Sequence, residues 1–179
     1  MTVRLDRAAV EAALRDVPDP EIPMVSVVDL GIVQAIDIAP GPDGDAVTIA
    51  ITPTFAGCPA LEMMRDDIRA AVRALGAASV EVNIVLDPPW TSDRITPAAR
   101  EAMRAIGLAP PPPAGRFRAD PTLALSPTTV DAAASAEPVP CPFCGSTDTV
   151  TDNPFGSTLC RSVHYCRGCE QPFEAFKAL

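Results

Sequence analysis

Four cysteines near the C-terminus form the pattern in this chain that is best suited to chemistry. Cys141 and Cys144 make one C-x2-C pair, Cys166 and Cys169 make a second, and 21 residues separate the pairs. A tetrahedron of thiolates suits Zn(II) or an iron-sulfur centre, and the hairpin-like spacing favours a structural zinc ribbon. Disulfides or unrelated thiols are the alternative. A closed structural zinc site has no open coordination position, so reactivity must be sought elsewhere.

Two other residues near these pairs are predicted not to bind the metal. If residues 160–166 form a regular strand, Cys160 lies about 20 Å from Cys166, because a strand rises about 3.3 Å per residue. That separation is too large for one ion, so we predict a packed thiol at Cys160. His164 is the single histidine of the chain, and we expect it on the surface or supporting the ligands.

Cys58 is the cysteine outside this group and the candidate for a reactive thiol. It lies in the segment TPTFAGCP, residues 52–59. Pro59 suits the first turn of a helix, which predicts Cys58 at or next to the helix N-terminus, where unpaired N–H groups favour a thiolate. Gly57 leaves the sulfur approachable. A small buried cysteine that only caps the helix is an equally compatible interpretation.

The composition argues against several classes of function. The chain carries 14 basic and 23 acidic residues, a net charge of -9, whereas a nucleic-acid-binding protein needs a basic face. Its first residues do not resemble a signal peptide, and no apolar run approaches the roughly 18 residues that cross a bilayer. We therefore expect a cytoplasmic protein with reduced thiols and with no membrane or nucleic-acid partner. The acidic surface favours solubility or a basic protein partner.

Proline content predicts the domain organisation. Residues 108–140 contain eight prolines, four of them consecutive at 110–113, which is typical of a stiff linker. The linker separates an N-terminal domain, residues 1–107, from a C-terminal module, residues 141–179. The module is so small that a bound metal would be its main source of stability.

Hydrophobic periodicity predicts the elements of the N-terminal domain. A helix over 6–16, a hairpin around the turn at 41–44, a helix up to Gly76 and a strand over 80–86 follow one another. Thr96 as N-cap, Pro97 at the first position and Gly107 as terminator bound a last helix. The order α-β-β-α-β-α predicts an α/β (α+β) fold, a small mixed sheet covered by helices, with a separate C-terminal zinc ribbon.

Several of these segments carry a resemblance to a known family. Residues 19–23 (DPEIP), residues 28–32 (VDLGI) and the pattern Thr54-x3-Cys58-Pro59 resemble the iron-sulfur carrier assembly domain of SufT and MIP-type factors. On local spacing alone, the carboxylates of the first two segments are better explained as turn formers. Residues 87–93 (DPPWTSD), 106–111 (IGLAPP) and 141–146 (CPFCGS) extend the resemblance to the PaaD-type components of bacterial phenylacetyl-CoA epoxidase systems. Arg94 stands where we expect tryptophan in relatives, which affects partner docking if that tryptophan lies on a partner surface.

The resemblance implies an accessory, non-catalytic role in aerobic phenylacetate breakdown. The chain would assist assembly of an iron-sulfur cluster or metal centre in its partners, the flavin and iron-sulfur reductase and the di-iron oxygenase subunits. Zn(II) would fill the ribbon, and Cys58 would bind iron or a cluster transiently. The residues expected to support Cys58 are Thr54, Gly57, Pro59, Asp29 and Glu21. The alternative is a purely structural adaptor that bridges the epoxidase subunits, with Cys58 only a cap.

Overall fold

The computed structural model describes residues 4–55, 57–112 and 138–177. The chain divides into two compact units. The first contains the residues up to 90 and residues 94–103, and the second contains residues 91–93 and those from 104 onward. Most of the predicted linker, residues 113–137, lies outside the described residues, and the predicted domain boundaries stay a prediction. In the described parts of the chain, no helix has the length and apolar character needed to cross a membrane.

The first unit has the predicted order of elements and the predicted mixed sheet. Its sheet has the order β1-β2-β3, with β1 antiparallel to β2 and β2 parallel to β3. The α+β prediction is therefore confirmed. The elements are α1 (Arg7–Arg15), β1 (Val33–Pro40), β2 (Asp45–Ile51), α2 (Leu61–Ala74), β3 (Ser79–Ile84) and α3 (Pro97–Ala105), of which the last two residues belong to the second unit. A 3₁₀ turn at Ser92–Arg94 begins in the second unit and ends in the first.

Local sequence explains where these elements begin and which face they bury. Asp6 caps α1, because its carboxylate accepts a hydrogen bond of 2.6 Å from the N–H of Ala9. Thr96 caps α3 in the same way through Ala99, and Pro97 follows as the first helical residue. Every second residue of β2 is buried, and α2 packs beside β3 and α1, so the core lies between the helices and one face of the sheet.

The Asp29-Leu30-Gly31 turn is fastened to the segment that precedes α3. The N–H of Thr96 donates a hydrogen bond of 2.9 Å to the carbonyl oxygen of Asp29. Gly31 has φ +74°, and a Cβ there would clash with the Cβ and the backbone of Arg94. The position therefore requires glycine for its backbone conformation and for the close approach of Arg94.

The second unit is a four-stranded sheet that includes the first residues of the predicted proline-rich linker. Its order is β4-β7-β6-β5, with β4 parallel to β7 and the other pairs antiparallel. The strands are β4 (Leu108–Ala109), β5 (Thr149–Asn153), β6 (Arg161–Cys166) and β7 (Pro172–Phe176). The first two residues of the predicted linker thus form a strand, because both are apolar and bury against β7.

Candidate functional site

The two C-x2-C pairs come together at one end of the second sheet. The four sulfur atoms all lie within 4.8 Å of one another, with 3.7 Å between Cys141 and Cys169 and 3.6 Å between Cys144 and Cys166. A tetrahedral ion with Zn–S bonds of about 2.3 Å holds its sulfurs roughly 3.8 Å apart. The cluster therefore fits a tetrahedral thiolate site for a metal ion. Within residues 4–55, 57–112 and 138–177, no other group of three or more His, Cys, Asp or Glu side chains is placed to hold a metal.

The two cysteine pairs are held by the same backbone turn. The N–H of Cys141 donates to the carbonyl of Ser146, and the N–H of Cys166 donates to the carbonyl of Gln171, each five residues further on. The residue after the second cysteine of each pair has a positive φ, +74° at Gly145 and +58° at Glu170. The turns thus present both pairs of sulfurs in equivalent ways, although only the first has the glycine that this conformation favours.

The environment of the thiols opposes their joint ionisation without a cation. Burial raises the pKa of Cys166, but hydrogen bonds from the Cys169 backbone, the neighbouring thiols and the Gly168 backbone outweigh burial and lower it to about 7. Burial and the other three thiols raise the pKa of Cys169 to about 12. A bound divalent ion supplies the positive charge that lets all four sulfurs act as thiolates.

Cys160 and His164 lie outside the four-cysteine group, as predicted. The sulfur of Cys160 lies 3.1 Å from Oγ1 of Thr158, and no metal-ligating group in the described residues includes it. His164 is buried, which excludes the surface alternative, and its support of the ligands stays a prediction. Its Nε2 lies 2.9 Å from Oγ of Ser162 and its ring stacks on Phe173 at 5.3 Å. Burial lowers the pKa of His164.

Cys58 lies further from α2 than the sequence predicted. The helix begins at Leu61 with Ala60 as N-cap, so Pro59 separates Cys58 from the cap. Pro59 and Ala60 form a turn rather than the first helical turn, which explains the later start. The carbonyl of Cys58 accepts a hydrogen bond from the N–H of Leu61, and the Cys58 side chain is half-buried. The backbone carbonyl of Cys58 therefore takes part in the turn that leads into α2.

The residues predicted to support Cys58 have well-defined local roles of their own. Asp29 accepts hydrogen bonds from Ser26 at 2.8 Å and Thr96 at 3.3 Å, and its carboxylate lies 3.4 Å from Arg15. The N–H of Glu21 donates to the buried carboxylate of Asp19. Both predicted motifs are therefore ordered turns. The support that Asp29 and Glu21 give to Cys58 stays a prediction.

The remaining three residues lie beside Cys58 in its own segment. Thr54 is half-buried, whereas Gly57 and Pro59 are exposed. A Cβ at Gly57 would lie 3.2 Å from the ring of Phe55. The N–H of Cys58 donates a hydrogen bond of 3.0 Å to the carbonyl of Phe55, so a backbone turn that starts at Phe55 leads into Cys58.

Two residues important for the metal site were missed by the sequence analysis. Ala109 is buried in one cluster with Cys141 and Cys166, but a two-residue strand has no periodicity from which to predict it. Glu170 adopts a left-handed conformation. The signal for Glu170 was present, because aligning the two C-x2-C pairs places it opposite Gly145.

Some known proteins and family models are similar to one part of this chain, and others are similar to nearly all of it. Residues 125–177 match the family model of the PaaD zinc beta ribbon domain, and residues 7–84 match that of the iron-sulfur cluster assembly protein. A protein of Escherichia coli (strain K12) described as the D component of 1,2-phenylacetyl-CoA epoxidase is 38% identical over 94% of this chain and 90% of its own length. The Fe-S protein maturation auxiliary factor of Porphyromonas gingivalis is 38% identical over 53% of this chain and 85% of its own. A solved conserved hypothetical protein of Thermotoga maritima aligns with a TM-score of 0.49 and 35% identity, covering 56% of this chain and 96% of that one.

Proposed function

Because this chain belongs to the PaaD family of 1,2-phenylacetyl-CoA epoxidase components, we propose that it is a non-catalytic accessory component that matures the epoxidase of aerobic phenylacetate catabolism. In this proposal it assists assembly of an iron-sulfur cluster or metal centre in the reductase or oxygenase subunits. It acts in the cytoplasm, where thiols remain reduced. The similarity of its first half to an Fe-S protein maturation auxiliary factor supports this role.

The ribbon has a structural task in this proposal. The four cysteines hold Zn(II), whose preference for tetrahedral thiolates agrees with the spacing of their sulfurs. A site closed by four protein ligands stabilises the small second unit and offers no position for a substrate. The ribbon would therefore dock the client rather than act on it.

Cys58 is the proposed transient ligand for iron or a cluster. The single observation that carries the proposal is that Cys58 is only half-buried and lies outside the four-cysteine group, within the part of the chain that matches the iron-sulfur assembly family. Iron-sulfur clusters are commonly held by four thiolates. One thiolate from Cys58 supplies part of that set, so the other ligands would come from the client or a second copy of the chain.

Replacement of Cys58 by serine tests this function. The variant is expressed together with the reductase and oxygenase subunits, and the iron and sulfide contents of the purified reductase and the epoxidase activity are measured. We expect the Cys58→Ser strain to lose iron or activity, while the matched Cys160→Ser variant keeps both. Unchanged iron content and unchanged activity with Cys58→Ser would falsify the proposal.

A purely structural adaptor is the second candidate, and the late start of α2 favours it. With Ala60 as the cap, the positive end of the helix dipole acts less directly on the Cys58 sulfur, because the effect is limited to the first turn. The adaptor predicts that Cys58→Ser has no effect, whereas loss of Cys166 and Cys169 prevents complex formation. Co-purification of the epoxidase subunits with each variant distinguishes the two candidates.

A further inference from the structure

The segment that follows α3 is built into the metal-binding unit as an edge strand. Leu108 pairs with Glu174 and Ala109 pairs with Ala175 in the parallel β4–β7 ladder. Both β4 residues are almost fully buried, with 3% and 1% of their surface exposed. The match to the zinc ribbon family begins at residue 125, so this strand lies outside the part of the chain that the family model defines.

This segment packs against both halves of the four-cysteine site. Ala109 belongs to the same buried cluster as Cys141 and Cys166, which come from different C-x2-C pairs. Gly107 lies against the ring of Phe143, which stands between the first two cysteines, and a Cβ at Gly107 would lie 2.9 Å from that ring. The positions of the cysteines therefore determine the surface on which residues 107–109 rest.

The segment is also fixed at its far end. The hydroxyl of Ser92, a fully buried residue, donates a hydrogen bond of 3.0 Å to the carbonyl of Pro112. Pro111 is buried as well. Residues 107–112 are therefore an ordered part of the second unit, held at both ends, although their proline content is that of a linker.

We propose that docking of residues 107–112 and metal binding by the four cysteines are thermodynamically coupled. A bound ion fixes Cys141 and Cys166 and so completes the surface that receives Ala109. By linkage, a docked β4 must strengthen metal binding by the same factor. The inference does not depend on any role of Cys58.

A charge placed in the buried cluster tests the coupling from the side of the strand. The zinc affinity of the full-length Ala109→Glu variant is measured by equilibrium competition with a coloured chelator. We expect zinc binding to be weaker than in wild type by about tenfold, within the usual range for coupled sites. Ile106→Glu is the matched control, because Ile106 is half exposed, and its affinity should stay within about twofold of wild type. Equal zinc affinities for Ala109→Glu and Ile106→Glu would overturn the proposal.

Hydrogen exchange of the wild-type protein tests the coupling from the side of the metal and needs no variant to fold. Residues 110–112 are prolines without an amide hydrogen, so the reporters are the amides of residues 107–109. We expect these amides to exchange at least about tenfold faster after zinc is removed, together with those of β7. Exchange of residues 107–109 that is the same with and without zinc contradicts the coupling, even if Ala109→Glu is unstable.

Discussion

The indole N–H of Trp90 donates a hydrogen bond of 2.9 Å to the carbonyl oxygen of Leu30, and both residues are buried. Asp29 accepts a second bond through its carbonyl, from the N–H of Thr96. Trp90, from one segment that carries the family resemblance, is therefore joined in the core of the first unit to residues 28–32, which form another. Residues of these segments therefore stabilise the fold, whatever role they have in binding.

Replacement of Trp90 by phenylalanine tests the strength of this connection. The variant keeps an aromatic ring but leaves the buried Leu30 carbonyl without this donor, which typically costs about 1–3 kcal/mol. We expect the free energy of unfolding of the first unit to fall by about that amount in urea titrations followed by circular dichroism. Leu86→Ala, at an exposed position, is the control and should change stability by under about 0.5 kcal/mol. A silent Trp90→Phe would show that the bond contributes little.

Two substitutions of Gly31 separate backbone strain from steric clash. Alanine and asparagine both add a Cβ that would meet Arg94, but asparagine tolerates a positive φ better than alanine. We expect both variants to lose about 2 kcal/mol or more of stability, because the contact with the Arg94 backbone decides the outcome. If Gly31→Asn is clearly more stable than Gly31→Ala, the positive φ and not the clash is the main constraint.

The predictable part of this structure is the part whose signals are local. Asp6, Thr96 and Pro97 predicted helix starts because capping depends on the side chains of a few adjacent residues. Alternating apolar residues predicted β2 for the same reason. The convergence of the four cysteines followed from their spacing, since metal geometry restricts which spacings can meet at one ion.

The parts that could not be predicted depend on contacts between distant residues. Strand β4 exists because Leu108 and Ala109 find a partner in β7, more than 60 residues later. His164 is buried because Ser162 and Phe173 provide a hydrogen-bond partner and a stacking surface, whereas its residue type alone favoured the surface or a supporting role. These outcomes are set by tertiary packing, which propensity and spacing do not contain.

Serine substitutions at Cys166 and Cys160 test the ligand assignment. Cys166→Ser replaces a thiolate of the converging group with a poor zinc ligand, so we expect less than one zinc per chain and loss of ordered structure in residues 138–177. Cys160→Ser should retain about one zinc, because Cys160 lies outside the group. Elemental analysis and amide NMR spectra of both variants provide the measurements. Loss of zinc from Cys160→Ser would contradict the assignment.

Glu174 should make the second unit sensitive to acid. Burial alone would raise the pKa of Glu174, but hydrogen bonds from the Ser157 backbone and hydroxyl and the ion pair with Arg161 lower it below its usual value. A carboxyl whose pKa is lower in the folded state stabilises the fold above the unfolded pKa of about 4.3. That contribution disappears as the pH falls through the folded pKa.

The Glu174→Gln variant measures this contribution. We expect wild type to be the more stable protein at pH 7 and the difference between the two to shrink as the pH falls below about 4. Comparing the two proteins at each pH removes the shared effect of acid on the cysteine site. Asp152→Asn, at an exposed position, is the control and should show a much smaller difference from wild type. A wild-type advantage that is independent of pH would mean that packing of Glu174, and not its charge, stabilises the ribbon.

The left-handed residues of the two cysteine turns predict a pair of opposite stability changes. Glu170 has φ +58° where the equivalent residue of the other turn, Gly145, has φ +74°, and a side chain in this conformation costs about 1–2 kcal/mol. Glu170→Gly should relieve that strain. Glycine also has a greater conformational entropy in the unfolded state, which offsets part of the gain, so we expect a net stabilisation of the ribbon of about 0.5–1 kcal/mol. Gly145→Ala should destabilise it by about 1 kcal/mol through backbone strain alone, since no atom lies within 4 Å of the added Cβ. Zinc retention against a chelator and thermal unfolding should move in the same direction for each variant. If Glu170→Gly is instead destabilising, the glutamate side chain makes a contribution that exceeds its strain, and the two turns are not energetically equivalent.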